Sequence, residues 1–250
     1  MNESEGKQMF YSKRHEDILK ILKEREAASV HFLAKELFVS EPTVRRDLDI
    51  LQKQGRVRRT FGGAVICELL NREVPLSLRE REGRGAKAVI AERASDLLSD
   101  GQVIFLDASS TTSYLVEYIA KYNDMTVITN SPKTSLALAE KKVRSFCTGG
   151  LMLENSIAYV GSLAESFVKN FNADIFFFSC RGVSDDGRLT DSSLEESELR
   201  KVMMENSKKI AFLCTSDKIG KKYMYNLCRV QSADHVFCDD EEKMKNLLSE

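Results

Sequence analysis

A cluster of basic side chains lies between Arg45 and Arg59, where six lysines and arginines stand beside only two acidic residues. Such groups donate charged hydrogen bonds to phosphate oxygens, so a cluster of this density is typical of a surface that contacts a polyanion. The formal charge of the whole chain is only −1, so the clustering and not the net charge carries this indication. The candidate contact residues are Ser40, Thr43, Arg45, Arg46, Lys53, Arg58 and Arg59.

A second group of polar residues follows three short apolar segments. The segment VIFL runs into a hydroxyl-rich loop, TVIT is followed by asparagine, and RSFC is followed by threonine and two glycines. Hydroxyls and unpaired backbone N–H groups at a helix start suit an anion, phosphate above all, although serine and threonine also cap helices without any ligand. One pocket would explain all three loops together. Its candidate residues are Asp107, Ser109, Ser110, Thr111, Thr112, Thr129, Asn130, Gly149 and Gly150.

The basic cluster is expected on a helix that begins at Ser40. The Ser40 hydroxyl can cap the first turn, and Pro42 falls where its missing N–H costs nothing. Val44, Leu48 and Leu51 then recur at helical spacing, which places them on one apolar stripe. The arginines lie off this stripe, so the helix can bury one face and offer the other to a polyanion.

Two helices and a hairpin are expected around this helix. Apolar spacing predicts helices over residues 13–25 and 30–37, and Gly62 and Gly63 separate two β-prone runs after it. Three helices and a basic hairpin make a winged helix-turn-helix, which we place at residues 10–66.

A winged helix of this kind is typical of DNA-binding proteins. Its third helix enters the major groove of double-stranded DNA, and its hairpin touches the adjacent backbone. A winged helix that makes only protein contacts is the alternative, but such contacts do not require basic residues at the element ends. Asp47 is expected to orient an arginine or to cap a neighbouring group, and not to meet DNA.

The rest of the chain alternates between helices and apolar strands. Residues 67–85 are charged and aperiodic, which predicts a linker, and residues 86–250 predict an α/β domain with a mostly parallel sheet. Ligands of such sheets bind at the carboxyl ends of the strands, where the hydroxyl-rich loop falls. The predicted helices span residues 87–98, 112–122, 132–140, 163–171, 193–205 and 241–248, and the predicted strands span residues 103–106, 126–129, 143–147, 174–179, 210–214 and 235–238.

Composition narrows the class of protein. The chain has 250 residues, of which 42% are hydrophobic, and no apolar run approaches the roughly 18 residues needed to cross a bilayer. The N-terminus shows no signal-peptide core, so we expect a cytoplasmic protein without membrane contact. The six cysteines and three histidines lack zinc spacing and form no acid/base set, so no metal, cofactor or catalytic residue is predicted.

One long pattern joins the first helix to the hairpin. Its residues are Arg14, Ile18, Leu22, Ser40, Thr43, Val44, Arg45, Arg46, Asp47, Leu48, Gly62 and Gly63. In type and separation they closely resemble the DeoR family of bacterial transcription regulators. The resemblance implies repression of sugar or nucleoside catabolism by a winged helix-turn-helix. It also implies a C-terminal sensor of a phosphorylated metabolite, similar in fold to ribose-5-phosphate isomerase and coenzyme A transferases.

The second half of the chain resembles the family with local departures. The family's first loop has a glycine where this chain has Ser109 or Ser110, and its Gly-Ala-Asp-Gly segment has an aspartate where this chain has Arg181. Glu196 matches the family's Glu-rich helix, and Lys218 matches its Asp-Ser-Ser-Lys segment. The candidate ligand site therefore also includes Arg181, Glu196 and Lys218. A solvated surface or an ion pair would also explain Glu196 and Lys218.

The resemblance implies a DNA-binding regulator, acting as a homodimer or homotetramer, that a phosphorylated sugar releases from operator DNA. An isomerase-like enzyme with a DNA-binding head is one alternative, and it would need a carboxylate to move a proton between carbons. Arg181 cannot be that base at neutral pH, so we expect binding without turnover. A C-terminal domain that only dimerises the DNA-binding heads is the other alternative.

Overall fold

The computed structural model describes residues 3–25, 27–53, 57–66 and 74–248, and their side chains outside residues 3–12, 53, 66, 246 and 248. The side chain of Lys53 and the first part of the predicted linker, residues 67–73, therefore lie outside the description. Contacts divide the chain into two units, Met1–Arg72 and Glu73–Glu250, and each has its own hydrophobic core.

Ten helices and fourteen strands occur in the described part of the chain. The helices are α1 Glu3–Arg25, α2 Val30–Glu36, α3 Glu41–Lys53, α4 Leu76–Arg79, α5 Arg84–Ala94, α6 Val116–Ile119, α7 Pro132–Glu140, α8 Ser162–Val168, α9 Leu194–Glu205 and α10 Glu241–Leu248. The strands are β1 Ala27–Ser29, β2 Val57–Thr60, β3 Gly63–Ile66, β4 Val103–Leu106, β5 Thr126–Thr129, β6 Arg144–Cys147, β7 Leu151–Leu153, β8 Ala158–Val160, β9 Ile175–Phe178, β10 Gly182–Val183, β11 Arg188–Asp191, β12 Ile210–Cys214, β13 Tyr225–Arg229 and β14 His235–Cys238.

The first unit is a winged helix, as the sequence predicts. Helices α1, α2 and α3 enclose a core that includes Ile18, Leu33 and Leu48, and β2 pairs antiparallel with β3 to form the wing. A third strand, β1, pairs with the other edge of β3. A Cβ atom on Gly63 would lie 2.2 Å from the Ala28 carbonyl oxygen, so this close pairing requires glycine. The strand at β1 was not predicted because three residues are too short for a period to show.

The second unit is built on a six-stranded parallel sheet in the order β14-β12-β9-β4-β5-β6. The central strand β9 is buried on both faces. Phe176 and Phe178 pack into one core, whereas Ile175 and Phe177 pack into the core on the other face. This alternation explains why the strand reads as a continuous apolar run, and it confirms the predicted class of sheet.

Three features of the second unit differ from the prediction. The predicted linker ends in a short helix, α4, and α5 begins at Arg84, so residues 74–85 belong to the folded unit. The predicted helix over residues 112–122 is a 3-10 turn followed by α6. Strands β7 with β8, and β10 with β11 and β13, form small antiparallel sheets that the sequence analysis missed. Each of these strands has only two to five residues, which leaves little room for an alternating pattern.

Among the described residues, no helix is both long enough and apolar enough to cross a membrane.

Candidate functional site

The predicted recognition helix, α3, begins with Ser40 as its cap. The Ser40 carbonyl accepts hydrogen bonds from the N–H groups of Thr43, at 3.0 Å, and Val44, at 3.2 Å. The hydroxyls of Ser40 and Thr43 lie 2.9 Å apart. Both candidate contact residues at the start of this helix therefore help to form its first turn, and their hydroxyls lie at the end that would approach DNA.

The two faces of α3 divide as predicted. Val44, Leu48 and Leu51 are fully buried in the core of the first unit. Arg45 and Arg46 are exposed, which leaves both guanidinium groups accessible to a nucleic acid. The fold thus presents these arginines beside the helix N-terminus, the part of a recognition helix that contacts base edges.

Asp47 is fully buried and fixes α3 to the first helix. Its carboxylate oxygens accept hydrogen bonds from Nε of Arg14, at 2.5 Å, and from Nη2 of the same arginine, at 2.9 Å. His15 Nε2 lies 3.2 Å from the carboxylate. The prediction that Asp47 orients an arginine is confirmed, and the arginine is on another helix.

The wing carries Arg58 and Arg59 on β2, and both side chains are half-buried. Nη1 of Arg59 lies 2.5 Å from Oδ1 of Asp49, and its backbone N–H donates to Gln52 at 3.0 Å. An ion pair this close to solvent is worth only about 0–1 kcal/mol, so Asp49 holds Arg59 weakly. Asp49 lies on α3, so this weak contact joins the wing to the recognition helix, and phosphate contact by Arg59 stays a prediction.

In the second unit, Asp107 organises the loop that follows β4. Its Oδ1 accepts hydrogen bonds from the Ser109 N–H, at 3.1 Å, and the Thr112 hydroxyl, at 2.9 Å. Its Oδ2 accepts from the Ser179 N–H, at 3.2 Å, and from Nε of Arg200, at 2.9 Å. Both oxygens are engaged, so Asp107 shapes the loop and links it to the end of β9.

Arg200 on α9 is the centre of a buried ionic cluster. Besides Asp107, it contacts Asp191, at 2.9 Å, and Glu196, at 3.3 Å. Burial disfavours the guanidinium charge, but the carboxylates of Asp191, Glu196 and Asp107 outweigh this effect and raise the pKa of Arg200 above its ordinary value. Arg200 therefore stays protonated at neutral pH.

Two buried oxygens at the same sheet edge lack hydrogen-bond partners within the described residues. They are Oγ1 of Thr111 and Oδ1 of Asn130, although the Asn130 amide N–H₂ donates to the Tyr159 carbonyl at 3.0 Å. The loops that hold them follow β4 and β5, whose last residues, Leu106 and Thr129, are direct neighbours in the sheet. A buried polar group without a partner is costly, so the pair is typical of a site that a ligand completes.

The glycine pair after β6 has one conformational requirement. Gly150 has φ +113, and a Cβ atom there would lie 2.6 Å from the Val160 carbonyl oxygen. Gly149 also has a positive φ, of +65, but a Cβ atom there would meet nothing within 4 Å. Gly150 thus serves the approach of the loop to β8, and ligand contact at these glycines stays a prediction.

Two lysines, Lys87 and Lys218, lie close to each other in the second unit. The ammonium group of Lys87, which is buried, donates to the carbonyls of Arg79 and, at 2.7 Å, Glu82. Burial, the charge of Lys218 and then that of Arg79 lower the pKa of Lys87 from 10.5 to about 8. Lys218 itself donates to the Ser179 hydroxyl at 2.7 Å. Lys218 thus brings one ammonium group to the end of β9, to which the Asp107 loop is also hydrogen-bonded.

We expect Lys87 to make the stability of the second unit rise with pH. Because its folded pKa of about 8 lies below its ordinary value of 10.5, the unfolded chain binds more protons than the folded chain between these values. The cost of the buried charge is present in full below pH 8 and disappears toward pH 10.5, a gain of up to about 3 kcal/mol.

Urea unfolding of the wild type and of Lys87→Met at neutral and alkaline pH measures this contribution. The wild type should gain stability relative to the variant as the pH rises. Parallel pH profiles for the two proteins would mean that Lys87 ionises as it does in water.

Arg181 is almost fully enclosed. Its Nη1 donates to the Val74 carbonyl at 3.3 Å, and its guanidinium lies 3.7 Å from Asp191 and 3.9 Å from Glu196. The arginine that departs from the family's aspartate is therefore held by carboxylates of the Arg200 cluster. Its accessibility to a ligand is low, and its role as a ligand residue stays a prediction.

The structure brings most of the predicted ligand residues to one edge of the sheet, and it adds three that the sequence analysis did not select: Lys87, Asp191 and Arg200. One signal for Lys87 was available, because Lys87, Ile90, Ala91 and Ala94 recur at helical spacing and are all buried. A lysine on an apolar stripe indicates a partly enclosed charge. Asp191 is the last residue of β11, whose sequence RLTD contains no apolar run that would predict a strand.

Comparisons with known proteins agree with the division of the chain into two folded units. Residues 14–69 match the family model "DeoR-like helix-turn-helix domain", and residues 83–240 match "DeoR C terminal sensor domain". The chain is 29% identical over 231 residues to the HTH-type transcriptional regulator GlpR of Haloferax volcanii, covering 92% of this chain and 91% of that protein. It is 34% identical over 227 residues to the L-fucose operon activator of Haemophilus influenzae, with 90% and 91% coverage.

Among solved structures, a D-ribose-5-phosphate isomerase in complex with phospho-erythronic acid aligns with a TM-score of 0.42 and 15% identity, over 54% of each chain. The two family models together span both folded units of the chain. The chain therefore belongs to the DeoR family and is a DNA-binding transcription regulator with a C-terminal sensor domain.

Proposed function

We propose that the protein is a cytoplasmic repressor of a sugar-metabolism operon, which a phosphorylated sugar releases from double-stranded operator DNA. The observation that carries the ligand half of this proposal is the pair of buried oxygens, Thr111 Oγ1 and Asn130 Oδ1, that have no partner among the described residues. A sugar hydroxyl can donate to both kinds of oxygen, and the Thr111 hydroxyl can in turn donate to a phosphate.

The charges beside this pair support a phosphate in particular. Lys218 donates to the Ser179 hydroxyl, and the Ser179 N–H donates to Asp107, so a hydrogen-bonded chain joins this ammonium group to the loop. Lys87 lies close enough to Lys218 for the charge of Lys218 to lower the pKa of Lys87.

The DNA-binding form is proposed to be a homodimer or homotetramer. Two-fold symmetry places two recognition helices about 34 Å apart, which matches successive major grooves on one side of the duplex. Repression is part of the proposal, although one relative, the L-fucose operon activator, is named as an activator of transcription and not as a repressor. The test of release must therefore accept a change of DNA affinity in either direction.

Binding without turnover is also part of the proposal. A general base needs a free lone pair within reach of the proton it takes. Both oxygens of Asp107 accept hydrogen bonds already, and Arg200 binds Asp191 and Glu196 as well. Detectable conversion of a pentose phosphate would contradict this part. A domain that only dimerises would not need unpaired buried oxygens, which is why we favour sensing.

Replacing Thr111 by valine tests the pocket. Valine has the same shape as threonine and removes the unpaired hydroxyl, so the ligand-free variant should be as stable as the wild type or about 1 kcal/mol more stable. Ligand binding should fall at least about tenfold because a charged or sugar hydrogen bond is lost. Isothermal titration with ribose 5-phosphate, glucose 6-phosphate and fructose 1-phosphate measures the second effect, and thermal unfolding measures the first.

Asn170→Asp is the matched control, because Asn170 is exposed and donates only to carbonyls of its own helix region. It should bind like the wild type. Wild-type affinity in Thr111→Val, or no binding of any sugar phosphate by the wild type, would count against the proposed pocket.

A further inference from the structure

A cavity of about 110 Å³ opens beside the hydroxyl-rich loop, next to residues that the proposed ligand site does not include. Leu76 and Glu80, which lie on and just after α4, form one wall. Ser109 of the loop after β4 also lines the cavity, together with Ser131, Lys133 and Thr134 at the start of α7. Ser109 connects this cavity to the loop that Asp107 organises.

The ammonium group of Lys133, which lines this cavity, forms an ion pair with the carboxylate of Glu80. Nζ of Lys133 lies 2.6 Å from Oε1 and 2.6 Å from Oε2 of Glu80. The Lys133 side chain is 56% exposed and the Glu80 side chain 27%, so solvent screens the pair. Ion pairs of this kind are weak, and an anion of higher charge can displace the carboxylate.

We propose that Lys133 binds the phosphate of the effector and that Glu80 is an internal anion that occupies Lys133 until the effector arrives. This inference rests on the proposed function. It adds Lys133 as the phosphate-binding residue and Glu80 as the anion that the phosphate displaces. A phosphate carries a charge of −1.5 to −2 at neutral pH, whereas a carboxylate carries −1, so the phosphate is the stronger partner for one ammonium group. The hydroxyls of Ser109 and Ser131 line the same space.

Glu80 belongs to a segment, residues 74–82, whose backbone carbonyls also accept hydrogen bonds from other basic side chains. Arg181 donates to the Val74 carbonyl, and Lys87 donates to the carbonyls of Arg79 and Glu82. Residues 74–82 are thus fixed to the sensor domain by three basic side chains, of which Lys133 is the most exposed. This segment is also the first described part of the chain after the winged helix. Displacement of Glu80 would therefore remove one of the three contacts that hold this segment.

Titration calorimetry with inorganic phosphate and with the three sugar phosphates tests the competition. Glu80→Gln keeps the shape of the side chain and removes the competing charge, so affinity for phosphate should rise about two- to fivefold. Lys133→Gln removes the proposed binding group, so affinity should fall at least about tenfold. Lys141 and Glu117 form a comparable exposed ion pair at the other end of α7, and Glu117→Gln and Lys141→Gln should bind like the wild type.

The double variant Glu80→Gln/Lys133→Gln separates competition from a general charge effect. If Glu80 acts through Lys133, the gain from Glu80→Gln vanishes in the Lys133→Gln background. The same gain in both backgrounds would overturn the inference, because Glu80 would then act only as a nearby negative charge. Sugar phosphate binding that neither single variant alters would also overturn it while leaving the proposed function intact. No binding of any phosphate by the wild type would overturn the proposed function itself.

Discussion

Replacing Arg200 by methionine will lower the free energy of unfolding of the sensor domain by about 3–5 kcal/mol. Methionine fills much of the same volume but removes the cation that the buried carboxylates of Asp107, Asp191 and Glu196 share. Asp191 and Glu196 then retain only the longer contacts to Arg181, and Asp107 loses its arginine. A buried carboxylate that loses its partner retains the full cost of leaving water. Urea unfolding at neutral pH, followed by circular dichroism, measures the change.

Arg188→Met is the control for loss of an arginine from this domain. Arg188 pairs with Asp186 at 2.9 Å, but the two side chains are 44% and 51% exposed, so the loss should be below about 1 kcal/mol. If Arg200→Met does not fold, Arg200→Lys retains the charge with fewer directed donors and should show an intermediate loss. A loss in Arg200→Met no larger than that of Arg188→Met would contradict the role of the cluster.

Replacing Arg45 or Arg46 by alanine should weaken operator binding by about 1–3 kcal/mol for an arginine that reads a base, which is about 5- to 150-fold. Both side chains are exposed at the start of the recognition helix, whose opposite face is buried. Their removal should therefore leave the fold intact. Fluorescence anisotropy with labelled operator and with unrelated DNA of the same length separates loss of specificity from loss of charge.

Lys20→Ala is the control for charge alone, because Lys20 is an exposed lysine on the first helix of the same unit. It should change operator affinity little, and equally for both DNAs. An arginine whose replacement leaves operator affinity unchanged does not belong to the contact surface. If neither replacement has an effect, the DNA-reading role of α3 is wrong.

The winged helix was predictable because its pattern is local. Each of its signals depends on residues close in sequence. These signals are the Ser40 cap, the apolar stripe of Val44, Leu48 and Leu51, and the glycine turn of the wing. The parallel sheet was predictable for a similar reason, since strands buried on both faces are continuous apolar runs. Short antiparallel strands gave no such pattern.

The charged interior was much less predictable. Nothing in the sequence around Arg200 distinguishes it from a solvated helix arginine, and its partners Asp107 and Asp191 are 93 and 9 residues away. Glu196, one turn before it, was selected only through the family resemblance. The pairing of Glu80 with Lys133 is equally non-local, at a separation of 53 residues. Sequence periodicity identifies which face is apolar, but tertiary structure decides which charges meet.

The most direct test of the central claim is an anisotropy titration of the wild-type protein on the DNA upstream of its own gene, at one stated salt concentration, with and without each sugar phosphate. We expect at least one sugar phosphate to change operator affinity by about 5- to 150-fold, the usual range for coupling between two sites. Unchanged operator affinity in the presence of a sugar phosphate that calorimetry shows to be bound would contradict it.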